Sequence, residues 1–236
     1  MTGRTVVRLL AVLLALGMIG LGALNIVGSL GRDSKRVQRS FAGITVLDVS
    51  VGSESVLVRE GTGGPTRLDR SISWSLGTPT LTQRREGNRL VIRSSCPFYV
   101  GWGCSGHILV VVPPGTEVHA KSSAGSVRAV GLTGPVELTS SAGSVSATGL
   151  RSPDVTASSS AGSTHLSFAG PPSRVGASSS AGSVEVLVPR DLTTYLVDAG
   201  SSAGSSTVDV RTDPSSARTI SAHSSAGSVR VGYEIQ

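Results

Sequence analysis

Aromatic residues are scarce in this chain. Its 236 residues include 3 Phe, 2 Trp and 3 Tyr, although hydrophobic residues make up 39% of the whole. Such a composition supplies little bulky core material and suits a β-rich protein built from small apolar side chains. The length allows one or two domains.

Cysteine is nearly absent. Cys96 and Cys104 are the only two, and they enclose the segment Cys-Pro-Phe-Tyr-Val-Gly-Trp-Gly-Cys. Two cysteines without an accompanying Cys/His cluster argue against a zinc site. An even cysteine count behind an export-type N-terminus predicts a disulfide instead, and disulfides persist outside the cytosol.

Acidic residues are scarce at one end of the chain. The net charge is +6, but residues 1–39 hold six of the 21 basic side chains and one of the 15 acidic ones, which leaves 15 against 14 in the remainder. The basic excess therefore belongs to the N-terminus, where it is more typical of contact with anionic lipid headgroups than of nucleic-acid binding. We expect no nucleic-acid partner.

One long hydrophobic run is present. Residues 9–31 carry no charge, a length that is sufficient to span a bilayer. A cleavable signal peptide is the alternative, with weak cleavage candidates at 20–23 and 27–29. We predict an uncleaved anchor. The positive-inside rule would place the body in the cytoplasm, because more basic residues follow the run than precede it. The predicted disulfide favours the opposite orientation: a single-pass cell-membrane protein with its body extracytoplasmic.

The second half of the chain repeats one short tract. Ser-Ser-Ala-Gly-Ser begins six times, and successive copies start 18, 19, 20, 22 and 23 residues apart. This period is typical of a stacked repeat and too short for a helical-hairpin repeat or a propeller blade. The copies begin at Ser122, Ser140, Ser159, Ser179, Ser201 and Ser224.

The parity of the apolar residues changes across each tract. Val155 and Ala157 alternate in one parity before the third copy, whereas Leu166 and Phe168 follow in the other. A strand keeps one side-chain parity per face, so the chain must turn a corner at the glycine, and glycine permits this through positive φ. We predict a β-solenoid with two short strands per coil; disordered low-complexity sequence is the alternative. The corner glycines are Gly125, Gly143, Gly162, Gly182, Gly204 and Gly227.

These patterns divide the chain into five predicted segments. They are a cytoplasmic N-terminus (1–8), a transmembrane anchor (9–31), a basic linker (32–40), an irregular β cap with the disulfide loop (41–120) and the solenoid repeats (121–236). The cysteine loop holds Phe98, Tyr99 and Trp102. These rings either pack onto the end of the stack or form a contact site for a partner.

No catalytic motif accompanies the serines. A serine nucleophile needs an oriented base, but the four histidines fall at unrelated positions in the repeat, and no Gly-x-Ser-x-Gly elbow or phosphate-binding loop is present. The acidic residues are scattered rather than clustered. We therefore expect a protein that is not an enzyme and that has no cofactor, no metal site and no catalytic residue.

The tracts, the cysteine loop, the strand-turn at 108–115 and the hydrophobic N-terminus together resemble a family of bacterial envelope proteins. This family is known as β-strand-repeat or putative adhesin proteins and is a domain of unknown function. The resemblance covers about residues 41–236 and implies an extracytoplasmic β-solenoid without catalytic residues. We predict a membrane-anchored interaction, adhesin-like or scaffold protein whose partner is an envelope protein or glycan. The alternative is an accessory protein in envelope-stress sensing that signals through its membrane helix.

Overall fold

The structure, a computed structural model, describes residues 33–74, 78–96 and 104–234. Within these ranges the chain consists of strands, turns and bends, and it contains no helix. The strands are β1 (Asp33–Phe41), β2 (Val46–Val51), β3 (Ser55–Glu60), β4 (Thr66–Trp74), β5 (Thr80–Glu86), β6 (Arg89–Ser95), β7 (Ser105–Val112), β8 (Glu117–Ser122), β9 (Val127–Val130), β10 (Val136–Ser140), β11 (Val145–Leu150), β12 (Asp154–Ser159), β13 (Thr164–Phe168), β14 (Arg174–Ala181), β15 (Val184–Val188), β16 (Leu196–Ala203), β17 (Ser206–Val208), β18 (Thr219–Ala226) and β19 (Val229–Tyr233).

These strands form two sheets. A ten-stranded sheet has the order β1-β4-β7-β3-β9-β11-β13-β15-β19-β17, and a nine-stranded sheet has the order β16-β18-β14-β12-β10-β8-β2-β6-β5. Most neighbours are parallel, whereas β1, β4 and β5 form antiparallel pairs at one end of the molecule. The buried valines of these strands suit a pleated surface that is covered on its inner side.

Each of the six tracts joins one strand of the nine-stranded sheet to the following strand of the ten-stranded sheet. We call such a unit, two strands and the corner between them, a rung. On the opposite edge the chain returns through turns such as those at Gly131 and Gly149, whose φ angles of 69° and 64° favour glycine. The rungs stack with their strands in register, so that equivalent residues lie side by side.

Small apolar side chains from both sheets form a single core between them. In the β12–β13 rung, Val155 and Ala157 are buried before the corner, and Leu166 and Phe168 are buried after it. The change of parity in the sequence thus keeps both strands facing the same interior. Burial of such side chains contributes about 25 cal/mol of stability per Å² of apolar surface. A single rung cannot bury its apolar side chains without its neighbours.

The predicted single-chain β-solenoid is wrong. The chain does form β structure throughout the described ranges, but the two sheets have mixed strand direction and do not close into a solenoid. The reversal occurs at β1, β4 and β5, in the region that has no sequence repeat. The rungs also depart from chain order, because β18–β19 lies between β14–β15 and β16–β17.

The predicted membrane anchor at 9–31 lies outside the described residues. Among the residues that the structure does describe, no helix is long and apolar enough to cross a membrane. The fold class that included a transmembrane helix, and the single-pass location with an extracytoplasmic body that rested on it, are corrected accordingly: the described chain is β structure without a helix. The segment boundaries at 8, 31, 40 and 120 stay predictions.

Candidate functional site

The six tracts lie along one edge of the molecule, and their first serine is a structural residue. At Ser140 the hydroxyl donates a hydrogen bond of 2.8 Å to the carbonyl oxygen of Gly125 and accepts one of 2.9 Å from the N–H of Gly143. All six first serines donate to a carbonyl of the neighbouring corner. The donor and acceptor pairs are Ser122 and Glu54, Ser140 and Gly125, Ser159 and Gly143, Ser179 and Gly162, Ser224 and Gly182, and Ser201 and Gly227.

The corner glycines are required by the close approach of neighbouring backbones. A Cβ atom added to Gly143 would lie 2.5 Å from the carbonyl oxygen of Gly125, and one added to Gly162 would lie 2.7 Å from the carbonyl carbon of Gly143. The explanation from positive φ does not hold at Gly125, Gly143 and Gly162, which are absent from the positive-φ glycines of the described chain. Glycine is needed there because another backbone occupies the space of its side chain.

The remaining tract residues form exposed rows along the edge. The second serine, the alanine and the last serine of the tracts face solvent, as Ser123, Ala124 and Ser126 do in the first copy. Because the rungs are in register, equivalent residues recur at the strand spacing of about 4.8 Å. We call this surface the corner edge. Its second-serine row consists of Ser123, Ser141, Ser160, Ser180, Ser225 and Ser202.

Earlier in the chain the same corner is built from different residues. Val51 pairs with Ser122, and Val56 pairs with Val127, which places Glu54 where the tracts have glycine. Glu54 is fully buried, and its Oε1 lies 2.6 Å from Nε of the buried Arg70.

Arg70 also connects this corner to the β6–β7 rung. Its guanidinium donates a second hydrogen bond, of 2.7 Å, to the hydroxyl of Ser94. Ser94 pairs with Val51 across the sheet and so stands in the position of the first tract serine. At this end of the edge, a buried ion pair with an additional hydrogen bond thus stands where the tract corners have a glycine and a serine.

The cysteine loop is an insertion into this same edge. Cys96 follows β6 at the position of a tract alanine, and β7 resumes the register at His107, which pairs with Ser55. The predicted disulfide between Cys96 and Cys104 is present, with their Cα atoms 6.1 Å apart. The Ser53 hydroxyl donates to the Cys104 carbonyl oxygen at 3.0 Å, which attaches the base of the loop to the adjacent corner.

The predicted contact residues Phe98, Tyr99 and Trp102 lie outside the described residues. The described chain nevertheless fixes both ends of their loop on the corner edge. Their contact with a partner therefore stays a prediction.

Histidine and carboxylate pairs occur on the outer faces of the strands. Both ring nitrogens of His119 bind carboxylates, Nδ1 with Glu137 at 2.9 Å and Nε2 with Glu117 at 2.7 Å. Burial of the ring lowers the pKa of His119, but the hydrogen bonds to Glu117 and Glu137 outweigh it and leave the pKa raised. Since the two nitrogens point in opposite directions, these three residues cannot converge on one metal ion.

A second pair lies near the serine tracts. Nε2 of His223 is 3.2 Å from Asp198 Oδ2, and Ser178 pairs with His223 across the sheet. In the described ranges no serine hydroxyl forms a hydrogen bond with this ring, so the geometry does not assemble a nucleophile with its base. In the same ranges, no group of three or more His, Cys, Asp or Glu side chains is arranged to hold a metal ion.

Glu54 and Arg70 are the site residues that the sequence analysis missed. A signal was available for Glu54, because the parity of the apolar residues changes between Val51 and Val56 as it does at the tracts. No comparable signal exists for Arg70, which reaches Glu54 only because β4 reverses direction.

Neither a family model nor a curated protein matches this chain. Three solved bacterial proteins are similar in structure. A putative cell adhesion protein from Clostridium sporogenes has a TM-score of 0.47 and 10% identity, covering 86% of this chain and 100% of its own. A putative adhesin from Bacteroides fragilis has a TM-score of 0.43 and 14% identity, covering 84% and 97%. A putative adhesin from Parabacteroides distasonis has a TM-score of 0.31 and 9% identity, also covering 84% and 97%.

Two of these neighbours are named putative adhesins and one is named a putative cell adhesion protein. At these identities and TM-scores the likeness does not extend to function.

Proposed function

We propose that the protein is a non-catalytic interaction protein, of the adhesin-like or scaffold kind, and that the corner edge is its contact surface. The observation that carries the proposal is the division of work within each tract. The first serine and the glycine hold neighbouring rungs together, whereas the second serine and the last serine face solvent in register.

A row of hydroxyls at a constant spacing suits an extended partner. Each serine hydroxyl donates one hydrogen bond and accepts others, as sugar hydroxyls do, and the row repeats them along several rungs. Single contacts of this kind are weak, but many of them acting together give useful affinity. A polysaccharide chain is therefore the partner that we propose, with the cysteine loop as an additional contact at the end of the edge.

The serine row can be tested by removing its hydroxyls. In co-sedimentation with insoluble peptidoglycan, chitin and cellulose, we expect the full chain to bind at least one of the three. The S141A/S160A/S180A variant should bind about tenfold more weakly, whereas S141T/S160T/S180T retains the hydroxyls and should bind nearly as well as the parent.

The cysteine loop is tested separately with F98A/Y99A/W102A. Loss of binding in this variant supports the loop as a contact. The proposal is overturned if the parent chain binds none of the three polysaccharides, or if the alanine variant of the serine row binds as well as its threonine counterpart.

A further inference from the structure

A cavity of about 330 Å³ lies at the end of the molecule where β1 and β5 are the outermost strands of their sheets. Its volume is within the range of small-molecule sites. Alternate residues of three strands line it, together with Thr78 and Pro79, which come directly before β5. The lining residues include Lys35, Val37 and Arg39 of β1, Arg70, Ile72 and Trp74 of β4, and Pro79, Leu81 and Gln83 of the β5 side.

Two unpaired cations stand at the mouth of this cavity. Lys35 and Arg39 are exposed and flank the half-buried Val37 on the inward-facing side of β1. Neither forms an ion pair with an acid in the described residues, and no acid is among the residues that line the cavity there. Most buried side chains of the central strands are apolar or carry a hydroxyl, and the buried Arg70 is paired with Glu54, so two cations without an acidic partner are unlike the rest of the described interior.

Behind the two cations, apolar side chains line the cavity together with the neutral polar residues Thr78 and Gln83. Ile72 is buried at its base, and Trp74, Pro79 and Leu81 are half-buried along its sides. Arg70 also lines it, but the charge of Arg70 is balanced by the buried Glu54. The positive charge of the site is thus concentrated at the mouth, with an apolar chamber behind it.

We propose that this cavity binds a small anionic amphiphile, with a carboxylate or phosphate head between Lys35 and Arg39 and an apolar body against Trp74 and Leu81. Charge at the mouth and apolar walls behind it are complementary to such a molecule and to neither a free anion nor a neutral one. The residues that contact the proposed ligand, Lys35, Arg39, Trp74 and Leu81, do not belong to the corner edge, so binding here can fail without affecting the proposed function.

Trp74 provides a local signal of binding. The chain has two tryptophans, and a W102F form leaves Trp74 as the remaining one. Titration of this full-length form with decanoate or decyl phosphate, below their micelle concentrations, should change the Trp74 emission saturably. The K35Q/R39Q variant should raise the apparent Kd about tenfold, because two exposed charge contacts with the head group are lost.

The matched control is R59Q/R67Q, which removes two exposed arginines from β3 and β4 of the sheet that contains β1, and neither arginine lines the cavity. It should bind within twofold of the parent. The proposal is overturned if neither probe gives a saturable change, if decyl maltoside binds equally well, if inorganic phosphate alone competes as strongly as the amphiphiles, or if the control variant loses as much affinity as K35Q/R39Q.

Discussion

The molecule builds the same corner in two ways. In the six tract-bearing rungs, a serine hydroxyl and a bare glycine backbone connect each corner to the next, as Ser140 connects to Gly125. In the rungs formed by β2–β3 and β6–β7, a buried ion pair between Glu54 and Arg70 and the disulfide of Cys96 perform this task.

The difference follows from what lies beside each corner. A tract corner has an identical corner as its neighbour, so one geometry can be repeated, and the space is too narrow for any side chain but hydrogen. The Glu54 corner is next to the inserted cysteine loop and to the reversed strand β4, which leaves room for larger groups. Corners that stack on identical corners therefore carry small residues, whereas the corner where the repeat is interrupted can hold the larger polar Glu54.

The largest expected effect concerns the ion pair. Replacing Arg70 with methionine leaves the carboxylate of Glu54 buried without a counterion, and its Oε2 already lacks a hydrogen-bond partner. We expect a loss of about 3–5 kcal/mol in the free energy of unfolding, measured by urea denaturation.

Two further variants separate the buried charge from other causes. E54Q/R70M removes both charges and should recover much of the lost stability. R36M removes an exposed arginine that is paired with Asp69, and it should leave the denaturation midpoint within experimental error. If R70M unfolds at the same urea concentration as the parent, the ion pair does not hold this corner.

A smaller loss is expected in the tract corners. In Gly143→Ala the new Cβ atom would lie 2.5 Å from the Gly125 carbonyl oxygen, so one of the two backbones has to move. We expect a destabilisation of about 2–3 kcal/mol by thermal or urea unfolding. At Gly170 the nearest atom to an added Cβ is a side-chain carbon of Arg151 at 3.7 Å, which makes Gly170→Ala a control. Equal effects at Gly143 and Gly170 would contradict the close-approach explanation.

The sequence predicts those features of the fold that depend on local periodicity. The alternation of Val155, Ala157, Leu166 and Phe168 predicts correctly which side chains are buried on both sides of a corner, because side-chain direction has a period of two along any strand. It also locates the corners themselves. The second-serine row of the corner edge follows from the same periodicity once the register is known.

Contacts between residues far apart in the sequence leave no mark on the local periodicity. All tract rungs carry nearly the same pattern, so the sequence contains no signal that the sixth tract lies between the fourth and the fifth. The region before the tracts has no repeat, so its sequence gives no signal for the reversal of β4. The contact of Arg70 with Glu54 and Ser94 depends on this reversal and could not be predicted without it.

The smallest expected effect distinguishes the serines within one tract. Ser140→Ala removes the hydroxyl that donates to the Gly125 carbonyl oxygen and accepts from the Gly143 N–H, both on the inner side of the corner. We expect a loss of about 1–2 kcal/mol in the free energy of unfolding, because two largely buried backbone groups lose their partner. Ser141→Ala changes the adjacent, exposed serine and should stay within about 0.5 kcal/mol of the parent. Since the two substitutions are chemically identical and one residue apart, a difference in stability between them would separate the structural serine from the exposed one, whereas equal stabilities would contradict the division of work within the tract.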